Sequence, residues 1–262
     1  MGIFDWFGPS CPVEAEERAW LDERLAWLVE QFGIERIQGA EQVLPSPAFF
    51  PDPYDRTPDA ALKMFERVKD YMGLGDQKIR VGFYVEEDEH PDVARRMPGV
   101  LYSSQGTAGL FHGFRGKVGE DLQIAIEAKQ LAKPLSLVAT IAHELAHVHL
   151  VGFGRLKGDE EDHEPVTDLL TILLGLGVFT ANSLIQETNW QSGQWTGWSV
   201  GRLGYVSQLQ AGYALGVFAW LRGEERPEWL GEVCSDVRAP LKATLKLLAK
   251  GDVAPALAAL KK

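Results

Sequence analysis

Cysteine is scarce: Cys11 and Cys234 are the only two in 262 residues, they stand far apart, and neither belongs to a C-x-x-C pair. That excludes a disulfide framework and a thiolate zinc site, and both are read as reduced thiols. Basic residues are also in deficit, 26 against 37 acidic ones, for a net charge of −11, with no Lys/Arg cluster longer than a pair. A chain without a basic stripe is a poor partner for nucleic acid or for an anionic membrane surface. The amino terminus lacks the basic region and long apolar core of a secretory signal. It begins Met1-Gly2, but Trp6 occupies the place a myristoylation signal gives to Ser or Thr. The expected compartment is the cytoplasm. No repeat or low-complexity linker divides the chain, and 45% hydrophobic content is enough to bury a large core. The expectation is one continuous unit over residues 1–262: a helical and Pro-rich arm (1–56), a core (57–185) and a helical carboxy-terminal part (186–262).

What stands out is His143-Glu144-Leu145-Ala146-His147, H-E-x-x-H inside an uninterrupted apolar helical pattern that Pro134 opens. Histidines at i and i+4 share a helix face, where their imidazoles can converge on one zinc ion. Glu144 lies beside that stripe, placed to take a proton from water without being a ligand. Ser136 and Thr140, earlier on the stripe, are small enough for another element to approach.

In chain order, the spacing of Trp20, Leu21, Leu25, Trp27, Leu28 and Phe32 predicts a helix from Pro12 to Phe32 that Gly33 ends. Four prolines between Val43 and Tyr54 forbid a helix or central strand, and the aromatics among them suggest an ordered arm. Thr57 and Pro58 start a second helix that stops at Gly73. Strands are expected over 78–86 and 122–127, with weaker ones at 100–102 and 109–114. The strand Ile124 to Glu127 is a candidate edge for an extended substrate. Beyond the glycine-marked segment 152–162, His163 and Glu164 begin another helix, on which Glu164 and Asp168 share a face that continues through Thr171 and Gly175. No charge occurs from Leu169 to Ile185, and burial in the core is favoured there over a membrane span. His149 reads as a surface or capping residue, and His163 either contacts substrate or solvates the helix start. Asp159, Glu160 and Glu161 serve a helix dipole or an exposed loop. Trp190, Trp195 and Trp198 mark a loop that lines a cleft or is pinned by its aromatics. A helix follows over 207–222, and 227–262 reads as two or three short helices.

H-E-x-x-H followed on a second helix by E-x-x-x-D resembles the gluzincin group of zinc metallopeptidases, over roughly residues 78–185. The resemblance implies an α+β, zincin-like metalloprotease domain: a small mixed sheet, the H-E-x-x-H helix, a second glutamate-bearing helix and helical extensions at both ends. It implies one Zn2+ held by His143, His147 and Glu164, Glu144 as general base, Asp168 hydrogen-bonded to His143, and a peptide or protein substrate. Such enzymes commonly use a downstream tyrosine or histidine at the oxyanion; of Tyr205 and Tyr213 we prefer Tyr205, near a helix start after the tryptophan segment. The expected function is zinc-dependent amide hydrolysis, the alternative a zinc-containing but catalytically idle binding or regulatory module. The whole chain also resembles uncharacterised bacterial proteins through its Phe50-Pro-Asp-Pro-Tyr54 and Leu174-Gly-Leu-Gly-Val178 segments, a likeness that implies no activity.

Overall fold

In the computed structural model, residues 10–86, 100–103, 110–111, 122–192, 195–202 and 205–261 are described. Residues 1–8, 109, 112–114 and 193–194, on which several expectations bear, lie outside them. Chain order is α1 (Ala15–Phe32), α2 (Ile34–Gly39), α3 (Pro58–Tyr71), β1 (Ile79–Glu86), β2 (Val100–Ser103), β3 (Leu110–Phe111), β4 (Leu122–Glu127) and α4 (Pro134–His147). It continues with α5 (His163–Thr171), α6 (Gly177–Ser183), β5 (Ile185–Ser192), β6 (Trp195–Arg202), α7 (Gln208–Leu221), α8 (Ser235–Ala249) and α9 (Pro255–Ala259). The structure is mostly helical with a small sheet of parallel centre, an α+β arrangement. Two compact units share the chain: Pro45–His163, and Met1–Leu44 with Glu164–Lys262.

In the unit Pro45–His163, β1 pairs in parallel with β4, from Ile79↔Leu122 to Tyr84↔Glu127. β2 adds in parallel on the other side of β1, and β3 adds antiparallel to β4, giving the order β2-β1-β4-β3. Phe83, Ile124 and Ile126 are buried and form the apolar face. The edge of β4 expected to receive a substrate strand is occupied, because Ala125 and Ile124 pair with Leu110 and Phe111. Strand existence follows from local pattern, whereas strand order is decided by pairing at a distance.

Helix α3 starts where Thr57 accepts from the Ala60 N–H, with Pro58 at the first position. The Pro-rich segment lies along it as an ordered arm. Tyr71 Oη donates to the Phe49 carbonyl at 2.6 Å, Phe49 and Phe50 meet the Tyr71 ring edge-on, and Arg67 pairs with Asp52. Tyr54 Oη reaches the Leu131 carbonyl, 2.9 Å away, in the 3-10 turn that joins β4 to α4.

The other unit is built on helices. Glu14 and Glu17 form a capping box at the start of α1, three residues beyond the expected Pro12, and Gly33 ends it at φ +86°. Asp22 of α1 accepts from Tyr213 Oη of α7 at 2.7 Å, and Arg18 bridges Asp22 and Asp252. Gly212 and Gly216 sit one turn apart on α7 where α8 approaches: an added Cβ would meet Pro240 Cγ at 2.5 Å or Thr244 Cβ at 2.6 Å. The tryptophan segment, expected as a loop, is an antiparallel hairpin in which β5 pairs with β6 from Ile185↔Arg202 to Ser192↔Trp195. The carboxy-terminal stretch holds a 15-residue α8 in place of only short helices.

Candidate metal centre

Helix α4 grows directly from the sheet: β4 leads through the turn Ala128–Ala132 to Pro134, whose missing N–H falls where a helix start has no partner to offer. From Leu137 to His147 every residue but His143 is buried, so the helix is apolar on nearly all sides. Against that background Glu144 is 3% exposed and His147 5%. His143 and His147, one turn apart, bring their Nε2 atoms to 3.0 Å, with ring centres 4.7 Å apart and planes at 86°. Two ligand nitrogens on one tetrahedral zinc, at 2.0–2.1 Å each, stand ~3.3 Å from one another. The pair is therefore spaced to share a cation.

After His147 the helix widens into a π turn, Val148–Gly152. His149 lies in that turn, buried, and its Nε2 donates to the Met72 carbonyl at the end of α3, 2.8 Å away. This bears out a capping role and corrects a surface one: the donor completes a helix end inside the core. Arg155 Nη1 in turn donates to the His149 carbonyl at 2.7 Å. In the segment that follows, Glu160 Oε1 accepts from the Lys157 N–H, and its carbonyl accepts from His163 N and His163 Nδ1. The His163 ring centre lies 5.9 Å from that of His147.

Glu164 comes next in the chain. A ligand atom of Glu164 and the ring nitrogens of His143 and His147 all lie within 4.8 Å of one another, a group that could hold a metal ion. The donor set, two imidazoles and a carboxylate, suits zinc. One turn on, Asp168 is 3% exposed, and its Oδ2 accepts from the backbone N–H of Tyr205 at 2.6 Å and of Val206 at 3.3 Å. Tyr205 thus meets the glutamate-bearing helix through its backbone, while the residue is 53% exposed.

This helix also passes through a π turn, Ile172–Leu176, at whose Gly175 the backbone takes φ +85°. The chain Glu41–Val43 runs against it: Val43 N and Gln42 Nε2 both donate to the Gly175 carbonyl, at 2.8 and 2.9 Å. The apolar stretches Pro134–Gly152 and His163–Ser183 have the length and composition of membrane spans, and their most apolar windows are 72% and 94% buried inside the protein. His163, read from the sequence as contacting substrate or solvating the helix start, is one of four of the chain's six histidines that fall within residues 143–163. Comparison with protein-family models, with curated protein sequences and with solved structures finds no match for this chain.

Proposed function

We propose that the chain is a zinc-dependent hydrolase of the metallopeptidase type, cleaving an amide bond in a peptide or protein within the cytoplasm. The observation that carries this reading is the convergence of His143, His147 and Glu164 within 4.8 Å, with the carboxylate of Glu144 buried on the same helix. His143, His147 and Glu164 would hold one Zn2+, leaving a coordination position open as catalytic sites do. The sheet, the H-E-x-x-H helix and the glutamate-bearing helix would then form a zincin-like core. Zinc in that setting supplies Lewis acidity, polarising a carbonyl and lowering the pKa of water to about 7.

The chain's own residues do the rest. Glu144 takes the proton of the attacking water as its oxygen bonds to the carbonyl carbon, and delivers it to the amine nitrogen as the C–N bond breaks. Asp168 would orient His143, and Tyr205, 53% exposed, would stabilise the oxyanion through its hydroxyl. Glu144→Gln keeps the shape and removes the base. It is expected to lower kcat on a peptide library by a factor of about 10² to 10⁴ while one equivalent of metal is retained. Unchanged cleavage by that variant would overturn the mechanism. Metal at one equivalent without chelator-sensitive cleavage in the unsubstituted protein would favour the idle binding module.

A further inference from the structure

Apart from the metal group, the helical unit Met1–Leu44 with Glu164–Lys262 carries two charged surfaces of opposite sign. One belongs to α1. Glu16, Ala19, Glu23, Trp27 and Glu30 fall on a single stripe of that helix, and its three acids are exposed. The last four of these residues, with Asp252, line a cleft of about 780 Å³ between α1 and the chain that leads into α9. Arg18 lines it too, but its charge is taken up by Asp22 and Asp252, so the cleft is left acidic. The other surface belongs to α8. Ala239, Lys242, Lys246, Ala249 and, at the cap, Lys250 share its exposed face, where the alanines keep the profile low. Among the described residues, neither Glu16, Glu23 and Glu30 nor Lys242, Lys246 and Lys250 have an ion-pair partner in their own chain.

We propose that the cleft along α1 receives α8 of a second copy of this chain, and that two copies exchange this contact in a two-fold dimer. The charges match in sign and in spacing. Glu23 and Glu30 are seven residues apart and Lys242 and Lys250 eight, which at 1.5 Å per residue is about 10.5 and about 12 Å along the two helices, a difference that lysine side chains absorb. Trp27 lies between the two acids and Lys246 between the two outer lysines, so the stripes run in register. With a net charge of −11 two copies repel in most orientations, and the lysine stripe selects this one. The place of the two surfaces in the unit favours mutual exchange over a head-to-tail chain. Asp252, two residues past Lys250, is held at the cleft by Arg18 at 2.8 Å, so cleft and lysine stripe adjoin. A two-fold axis at their boundary seats each α8 in the other copy's cleft and leaves neither surface over.

Sedimentation equilibrium of the full chain tests the proposal. At about 50 mM salt a species of twice the 29.0 kDa chain mass is expected, with a dissociation constant that rises at least tenfold at about 0.5 M salt as the charge pairs are screened. Two charge-reversed variants give the decisive comparison: Glu23→Lys with Glu30→Lys, and Lys242→Glu with Lys250→Glu. Each alone sets like charges against one another and is expected to be monomeric. Mixed in equal amounts they are expected to form a heterodimer, because in both of its contacts acid again faces base. All four positions are exposed, and a helix content by circular dichroism equal to that of the unsubstituted protein shows that the fold is kept. Where a reversed variant loses helix, Lys242→Gln with Lys250→Gln decides: a dissociation constant raised severalfold supports the dimer and an unchanged one overturns it. A monomer at every concentration up to about 1 mM, a dimer that neither reversed variant disrupts, or two folded variants that stay monomeric when mixed would each overturn the proposal.

Discussion

A carboxylate that is 3% exposed, as Glu144 is, needs a reason on a helix whose other buried positions are largely Leu, Ile, Val and Ala. Burying a charge without compensation costs several kcal/mol, and in the proposed metal site the carboxylate of Glu144, between two histidines of the motif, would have a chemical use. Asp168 is buried to the same degree, and it ties its helix to a distant stretch of the chain. Its Oδ2 satisfies the N–H groups of Tyr205 and Val206, and Val206 is itself buried. Asp168→Ala should lower the stability of the protein by about 3 kcal/mol, because hydrogen bonds to a charged acceptor are lost and buried donors are left unsatisfied. Denaturant unfolding checks this, and a loss below about 0.5 kcal/mol would show that the tether is not made. The acid pattern Glu164, Asp168 was readable from its i, i+4 spacing. That Asp168 also holds the start of α7 was not, since 37 residues separate the partners.

Among elements, the starts of helices were the most readable, because their signals are local. Thr57 with Pro58, Pro134, and Ser207 with Gln210 each mark a start that the structure keeps within a residue or so. The hairpin β5–β6 was read as a loop for the opposite reason: Asn189, Gln191 and Gly197 are weak strand formers, and each is paired with a residue of the other strand. Gly175 shows the same division within one residue. Its place on a small-residue stripe was visible, but its φ of +85° and the chain Glu41–Val43 against it were not. A Cβ there would stand 2.1 Å from the Glu41 carbonyl oxygen. Gly175→Ala should therefore destabilise by about 3 kcal/mol or more, strain in the left-handed region adding to a backbone clash. A thermal melt within 2 °C of the unsubstituted protein would refute the packing of this turn.

At the scale of the whole molecule, the two units carry a shared titration behaviour. Burial pushes the Tyr54 hydroxyl up to about 12, and burial together with the hydrogen bond to Asp22 pushes Tyr213 up as well. In the unfolded chain a tyrosine titrates near 10. Above that pH the unfolded state binds fewer protons than the folded one, so stability present below about pH 10 is lost as pH rises toward 12. The urea midpoint is expected to stay level from pH 7 to 9 and to fall above 10, with a shallower fall in Tyr54→Phe. A midpoint that holds to pH 11.5 would contradict the placement of the half-buried Tyr54 and the buried Tyr213.

The sequence alone determined what depends on neighbours along the chain: the helix that presents His143 and His147 on one face, the second helix that pairs Glu164 with Asp168, and the strands at 79–86 and 122–127. Helical and strand periods are properties of the backbone, so residue spacing is enough to read them. Only the tertiary structure decided that β3 occupies the edge of β4, that His149 ends α3, and that His163 stands beside His147. The first two join residues far apart in the chain, and the third depends on the path of the turn between two helices, whose bends no periodicity records.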